Sequence, residues 1–89
     1  MREFCTGMFA RSLAGHDKGN LYIIVRREEQ FAWVADGVLK PLEKLKKKKW
    51  KHLQVDYEIS PLVAVLLEQE RPLTNEVIKR AIKEKLRTV

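Results

Sequence analysis

Short apolar runs separated by polar or glycine-containing segments fill the first half of the chain. Residues 8–12, 21–25 and 31–35 form these runs, and the second and third are rich in aromatic and β-branched side chains that favour strands. Gly15 and Gly19 lie between the first two runs, where a tight loop often needs a positive φ. The pattern predicts three short strands joined by loops.

Two more strands are predicted on either side of a run of lysines. Asp36-Gly37 is a strong signal for a tight hairpin turn, so residues 38–42 can return as the hairpin partner of the third strand. Pro41 makes that partner an edge strand or ends it. After the lysines, residues 50–55 can supply a last short strand. Several short strands at close spacing predict a small β-barrel.

The last third of the chain has the periodicity of helices. Ser60 as N-cap and Pro61 at the first helical position predict a helix that ends near residue 70. Thr74 can cap a second helix with one apolar face. That face consists of Val77, Ile78, Ala81, Ile82 and Leu86. We expect all five side chains to be buried against the barrel or the first helix.

The change from strand pattern to helix pattern divides the chain near residues 56–59. Residues 1–56 are expected to form the barrel with its lysines, and residues 57–89 a C-terminal extension of two short α-helices packed on it. The predicted fold class is therefore mainly β with C-terminal helices. A chain of 89 residues buries a modest core and leaves little room for a small-molecule substrate.

The positive charge of the chain lies in one segment. Residues 40–52, the lysine-rich segment, contain seven lysines and one acidic residue, which accounts for the whole formal net charge of +6. The seven are Lys40, Lys44, Lys46, Lys47, Lys48, Lys49 and Lys51. A concentrated basic patch favours polyanionic partners such as RNA, DNA or an acidic membrane surface.

The lysine-rich segment is the first candidate site. Its flexible cations can contact a phosphate backbone and release condensed counterions, with His52 at the end of the segment. Trp50 is a candidate for stacking on a base, although large aromatic side chains are more often buried. The alternative is a solvated basic loop that Trp50 anchors to the barrel.

The loop at residues 15–19 is the second candidate site. Gly15 and Gly19 allow sharp turns, and we expect the Asp17 carboxylate to accept hydrogen bonds from the amides of its own loop. Three basic side chains in or near the loop are candidates for phosphate contact, namely Arg11, His16 and Lys18. The alternative is that the glycines serve only the turn.

Other binding and catalytic sites are less well supported. Tyr22, Phe31 and Trp33 are candidates for an aromatic cage around a methylated lysine, but their places on predicted strands favour core packing. Cys5, His16 and His52 have no metal-ligand spacing, and no partners for nucleophilic catalysis are apparent. We therefore expect no enzyme activity, no metal and no cofactor.

The expected location follows from the single cysteine and the lack of long apolar runs. One cysteine cannot form an internal disulfide, which fits a reducing cytoplasm. The first residues have no apolar core typical of a signal peptide, and the longest apolar run, residues 62–67, is too short to cross a bilayer. We expect a cytoplasmic protein without a membrane partner.

The order of motifs resembles that of a known family. Residues 7–19, with Gly15-His16-Asp17-Lys18-Gly19 at their end, resemble the KOW motif, in which a strand, a Gly-x-Asp-Lys-Gly loop and an apolar strand follow in order. Asp36-Gly37, the four lysines at 46–49 and His52-Leu53 stand in the order seen in bacterial KOW-domain RNA-binding proteins. Those proteins are similar to KOW-type large-subunit ribosomal proteins of archaea and eukaryotes. Residues 73–76 and the basic amphipathic helix after them match their usual ending, so the resemblance covers nearly the whole chain.

The resemblance implies an SH3-like barrel of the KOW type, RNA binding and an association with the ribosome. Members often carry a basic residue where this chain has His16 and a lysine where it has Leu13, so the lysine-rich segment is expected to supply most of the RNA contact. Ribosomal RNA is the expected partner, and ribosomal proteins are further candidates. Phosphate contacts position a protein without reading sequence, so specificity is expected to come from RNA shape.

A protein-interaction function is the main alternative. KOW barrels in transcription-elongation factors can also bind proteins, and the apolar residues 62–67 are a candidate partner-binding helix. Packing of that helix on the barrel is the simpler expectation. Identifying whether RNA or protein co-purifies with the chain distinguishes the two functions.

Overall fold

The computed structural model describes residues 6–87. Five strands are followed by two helices: β1 (Met8–Ser12), β2 (Leu21–Arg27), β3 (Phe31–Ala35), β4 (Lys46–Lys49), β5 (Leu53–Ile59), α1 (Pro61–Glu68) and α2 (Asn75–Arg87). The strands form one antiparallel sheet in the order β4-β3-β2-β1-β5. The prediction of a mainly β fold with C-terminal helices is confirmed. β4 and β5 are the edges of this sheet, and the described strands do not close into a barrel.

The first three strands lie where they were predicted, but the predicted partner of β3 is wrong. Residues 38–42 do not pair with β3, and the Asp36 side chain instead accepts hydrogen bonds from two of their amides. Its Oδ1 atom accepts hydrogen bonds from the backbone N–H groups of Val38 and Lys40, both at 2.8 Å. Asp36-Gly37 thus begins a wider loop and not a two-residue hairpin turn. The true partner of β3 is β4.

The last strand begins and ends later than predicted. Residues 50–52 form a short 3-10 helix, and β5 continues to Ile59, so the expected division after residue 56 lies inside a strand. β5 is irregular in its pairing with β1: Met8 lies opposite Ile59, whereas Ala10 lies opposite Val55. Helix α1 then follows almost directly.

Both faces of the sheet are apolar. On the helix face, Phe9, Ile23 and Ala35 pack with Val63 of α1 and Ile78 of α2. On the opposite face, here called the inner face, one buried cluster joins four strands and consists of Ala10, Tyr22, Ile24, Ala32, Val34 and Leu53. Neither α1 nor α2 contributes to this second cluster, whose partly buried neighbours are Met8, Trp50 and Val55, so its burial requires the twisted sheet to curl around it.

The helices begin as predicted. Ser60 Oγ accepts a hydrogen bond from Leu62 N at 3.1 Å, and Thr74 Oγ1 accepts one from Val77 N at 3.2 Å. α1 ends at Glu68, two residues before the predicted end.

The apolar face of α2 is buried in part. Ile78 and Ala81 are fully buried, and Val77 and Ile82 pack at the margin of the core, but Leu86 is 51% exposed, so its predicted burial is wrong. At about 100° per residue, position 85 and not position 86 points between Ile78 and Ala81. That position is occupied by Lys85, whose ammonium pairs with the carboxylates of Asp56 and Glu58 on β5.

Candidate nucleic-acid interface

Four consecutive lysines form the edge strand β4. Lys46 lies opposite Val34 and Lys48 opposite Ala32, so both point to the inner face. Lys47 and Lys49 point to the other side, because successive side chains of a strand alternate. The lysines at 46–49 are therefore strand residues and not a flexible loop, and they divide into two pairs with different surroundings.

Lys48 is a structural residue. Its side chain is 8% exposed, and its Nζ atom lies 3.0 Å from Asp17 Oδ1 and 3.0 Å from the Ala14 carbonyl oxygen. It thereby ties the strand to the loop at residues 15–19. Lys48 is among the lysines predicted to contact RNA, and in this structure its charge is compensated by Asp17.

The Asp17 carboxylate accepts hydrogen bonds from side chains of three strands, β1, β2 and β4. Besides Lys48, Tyr22 donates its hydroxyl to Oδ2 at 2.8 Å and Ser12 donates to Oδ1 at 3.0 Å. The expected capping of the loop's own amides is thus replaced by a cluster of side chains. Burial alone would raise the pKa of Asp17, but the hydrogen bonds from Lys48, Tyr22 and Ser12, with the charge of Lys48, outweigh it and lower the pKa to about 2.

The hydroxyl of Tyr22 shows the opposite effect. Burial, followed by the hydrogen bond to Asp17, raises the pKa of Tyr22 to about 12. The pair therefore consists of an ionised carboxylate and a neutral phenol at neutral pH. This arrangement fixes the loop at residues 15–19 against the inner face of the sheet.

The side of β4 that faces away from the inner face, here called the outer side, carries aromatic and lysine side chains together. Lys47 lies opposite Trp33 and Lys49 opposite Phe31. The Lys47 Nζ atom lies 4.0 Å from the centroid of the Phe31 ring and 5.5 Å from that of the Trp33 ring. We call Phe31, Trp33, Lys47 and Lys49 the aromatic–lysine surface. Both lysines are exposed, and both rings are partly exposed.

A bulge in β2 adds an arginine beside this surface. The register between β2 and β3 shifts between Ile24 and Arg26, which places Arg26 opposite Trp33. The guanidinium of Arg26 pairs with Glu28 at 3.2 Å, and Glu28 Oε1 also accepts a hydrogen bond from Trp33 Nε1 at 3.0 Å. The Trp33 ring is therefore fixed along its polar edge.

Tyr22, Phe31 and Trp33 do not form the aromatic cage that was considered. Tyr22 is buried on the inner face, whereas the other two rings lie on the outer side. Large and small side chains alternate along β3, and this pattern in the sequence indicates that the strand has two different faces. The sequence does not indicate that lysines lie opposite the two rings, because it predicts residues 38–42 and not β4 as the partner of β3.

Lys46, on the inner side of β4, lies at an open depression that joins the two predicted sites. Gly15, His16 and Asp17 of the loop line it together with Lys40, Lys46 and Lys48 of the lysine-rich segment. His16 is exposed, and Lys40 and Lys46 are partly exposed. The structure thus brings part of the loop and part of the segment to one place.

The remaining predicted residues lie elsewhere. Arg11 Nη1 donates to the Gly19 carbonyl at 2.8 Å, and Lys18, Lys44 and Lys51 are exposed. His52 is partly buried and its carbonyl accepts a hydrogen bond from Leu13 N at 2.8 Å. Trp50 packs against the inner cluster and donates through Nε1 to the Glu28 carbonyl at 2.9 Å, which favours its core role over base stacking.

Two further properties concern metals and membranes. Within residues 6–87, no group of three or more His, Cys, Asp or Glu side chains is placed to hold a metal ion. Cys5 lies outside the described residues. In the same part of the chain, no helix has both the length and the apolar character needed to span a bilayer.

Comparison with known proteins adds no assignment. The chain matches no protein-family model, and no curated protein matches it. The resemblance to KOW-domain proteins remains a prediction from the motifs in the sequence.

Proposed function

We propose that this protein binds RNA, with ribosomal RNA as its target, through the cations of the lysine-rich segment. The supporting observation is that the edge strand β4 consists of lysines, with Lys46 and Lys48 on its inner side and Lys47 and Lys49 on its outer side. Among the ion pairs of residues 6–87, Lys48 is the only lysine of the segment with a carboxylate partner. The other lysines of the segment are exposed or partly exposed.

The RNA would be bound mainly through its phosphates. Lys40, Lys46 and His16 surround the depression beside the 15–19 loop, while Lys47 and Lys49 project from the outer side of the same strand. Cations on two sides of one edge can contact phosphates of one RNA strand or of two neighbouring strands. Such contacts favour a particular RNA shape without reading a sequence.

We further propose that the curled sheet belongs to the SH3-like barrels of KOW proteins. This proposal is supported by the order of the strands, by the glycine-containing loop between β1 and β2, and by the cluster enclosed on the inner face. A KOW protein of this kind would act in the cytoplasm. Binding and not catalysis is the function that an exposed basic and aromatic surface supports.

A protein-interaction module is the second candidate function. Val65 and Leu67 of α1 are 49% and 37% exposed, although Val63 of the same helix is fully buried in the core. Exposed apolar side chains on a packed helix can contact a protein partner. In this case α1 would carry the function, and the lysines would only keep the protein soluble.

Sucrose-gradient fractionation after crosslinking tests the proposal. We expect the full chain to migrate with the large ribosomal subunit and to be crosslinked to its RNA. Purified protein should bind an RNA hairpin with a slope of log affinity against log salt of about −3.5 to −4.5, if roughly five lysines displace counterions. Crosslinks to protein alone, together with no salt-dependent RNA binding, would support the second candidate and contradict the first.

A further inference from the structure

The aromatic–lysine surface has a geometry that phosphate binding does not require. Phe31 and Trp33 project from the same side of β3, two residues apart, which separates them by about 7 Å along the strand. They lie on the same side as Ala35, which is covered by the helices, but are themselves only partly buried. Two large aromatic side chains are therefore partly exposed beside the helix-covered part of the same face of the sheet.

The ring faces can be reached from solvent. Lys47 is an exposed residue, yet its Nζ atom lies within 5.5 Å of both ring centroids. A position that an exposed ammonium occupies over a ring is also accessible to a planar ligand group. The hydrogen bond from Trp33 Nε1 to Glu28 fixes this ring before any ligand arrives, which reduces the entropy lost on binding.

The charges around the rings favour an anionic ligand. Lys47 and Lys49 lie directly opposite the two rings on β4. Glu28 is the acidic group that contacts this surface, and it is already engaged by Arg26 and by Trp33. An aromatic pair bordered by cations is the arrangement with which proteins bind single-stranded nucleic acid, since bases stack on the rings while cations follow the backbone.

The spacing of the rings selects unpaired nucleotides. Successive nucleotides of one strand rise by about 3.4 Å in a DNA duplex, roughly half of the distance between the two side chains along β3, and the bases of an RNA duplex are stacked as well. Two neighbouring bases that each stack on one ring must therefore be separated from one another. RNA loops and ends allow this separation, whereas a continuous helix does not.

We propose that Phe31 and Trp33 each stack on an unpaired RNA base, while Lys47 and Lys49 contact the adjoining phosphates. This inference rests on the proposed RNA binding and specifies the form of RNA that is bound. Lys47 leaves its position over the rings when the bases enter and binds phosphate instead. The target is then a single-stranded loop or end, and the duplex parts of the RNA contact other lysines of the segment.

The test compares three short probes of equal length: a single-stranded uridine oligonucleotide, an abasic oligonucleotide with the same phosphates, and an RNA duplex. Phe31→Leu and Trp33→Leu remove an aromatic face and keep apolar bulk. Each should weaken binding of the uridine probe by roughly 5- to 150-fold, the fold-change that corresponds to loss of one stacked base. Binding of the abasic probe and of the duplex should not change.

Variants that keep a ring serve as matched controls. Phe31→Tyr should bind the uridine probe with nearly the affinity of the unmodified protein. Trp33→Phe keeps a ring for stacking but loses the hydrogen bond to Glu28, so its affinity should lie between those of the unmodified protein and Trp33→Leu. Quenching of tryptophan fluorescence by the probe should be lost in Trp33→Phe, because the remaining Trp50 packs against the inner cluster. Thermal unfolding of every variant shows whether the fold is intact, and the comparison is made only among variants with unchanged melting temperature.

The possible failures are distinguishable. If the unmodified protein binds none of the probes, the proposed RNA binding is itself wrong. If it binds the uridine and abasic probes equally, or if Phe31→Leu and Phe31→Tyr bind the uridine probe alike, RNA binding stands and the stacking inference is overturned. If Phe31→Leu instead abolishes binding of a purified ribosomal protein while no RNA probe binds, the surface is a protein interface and the inference is again overturned.

Discussion

Lys48 Nζ lies 3.0 Å from Asp17 Oδ1, and this ion pair connects the lysine strand to the loop between β1 and β2. Both side chains are largely removed from solvent, at 8% and 15% exposed. One of the four lysines of β4 therefore serves the fold, while its neighbours on the same strand remain available to a ligand.

Replacing Lys48 should destabilise the protein far more than replacing an adjacent lysine. Lys48→Gln leaves the Asp17 carboxylate without its cation in a site that is mostly buried, which we expect to lower the free energy of unfolding by about 3 kcal/mol. Lys49→Gln changes an exposed side chain and should alter it by less than about 0.5 kcal/mol. Urea unfolding measures the free energy of unfolding of both variants. Equal losses in the two variants would show that the Lys48–Asp17 ion pair does not stabilise the fold.

Stability should decrease in acid through Asp17. Its pKa is lowered from 3.8 to about 2 in the folded protein. A lowered folded-state pKa stabilises the protein above the unfolded value, and this stabilisation is lost as pH falls through the folded value. About 2 kcal/mol should therefore be lost between pH about 4 and pH about 2. In Asp17→Asn this component should be missing from the pH dependence of urea unfolding, and an identical pH profile would contradict the assignment.

Removal of the three other lysines of β4 should reduce RNA binding without unfolding the chain. Lys46→Gln, Lys47→Gln and Lys49→Gln together should flatten the salt slope of RNA binding by about 2 to 3 units, since each phosphate contact contributes about 0.7 to 0.9. Lys48 is retained in this variant, because its replacement would destabilise the fold and a loss of affinity could then not be assigned to lost phosphate contacts.

The matched control removes the same charge from helix α2. Arg80, Lys83 and Arg87 are exposed there, and their replacement by glutamine lowers the net charge equally. We expect the salt slope of this control to remain that of the unmodified protein. If both triple variants lose affinity to the same extent, only overall charge matters and β4 is not the binding site.

Helix α2 offers a paired test of packing. Ile78 is fully buried in the core, whereas Leu86 on the same helix is 51% exposed. Ile78→Ala should lower the free energy of unfolding by about 2 to 5 kcal/mol, and Leu86→Ala should change it by about 0.5 kcal/mol or less. Ile82→Asp, at the margin of the core, should also destabilise by a few kcal/mol. Small and equal effects at all three positions would indicate that α2 is not docked on the sheet.

Local patterns in the sequence were sufficient for much of the fold. The apolar runs predicted β1 to β3, and the hydroxyls of Ser60 and Thr74 predicted both helix starts. These features depend on residues that are close in the chain. The pairing of β3 with β4 does not, because it joins residues 31–34 to residues 46–49 across a loop. The Asp36 side chain accepts hydrogen bonds from the amides of residues 38 and 40 within that loop.

The candidate site was less predictable because its parts are distant in sequence. Lys48 and Asp17 are separated by 31 positions, and nothing local distinguishes Lys48 from the lysines beside it. The aromatic–lysine surface depends in addition on the register between β3 and β4. A run of four identical residues carries no information about register, so the two different sides of β4 appear only in the folded chain.

A strand made only of lysine has a consequence for self-association. The open edge of a sheet exposes unpaired amides and carbonyls, which can template pairing with another chain, and a row of like charges opposes that pairing. β4 is such an edge, so its like charges oppose pairing with another copy of the chain. If the protein binds RNA as proposed, neutralisation of these charges would also remove this protection, and pairing of neighbouring copies along their sheet edges would be easier on RNA than in free solution.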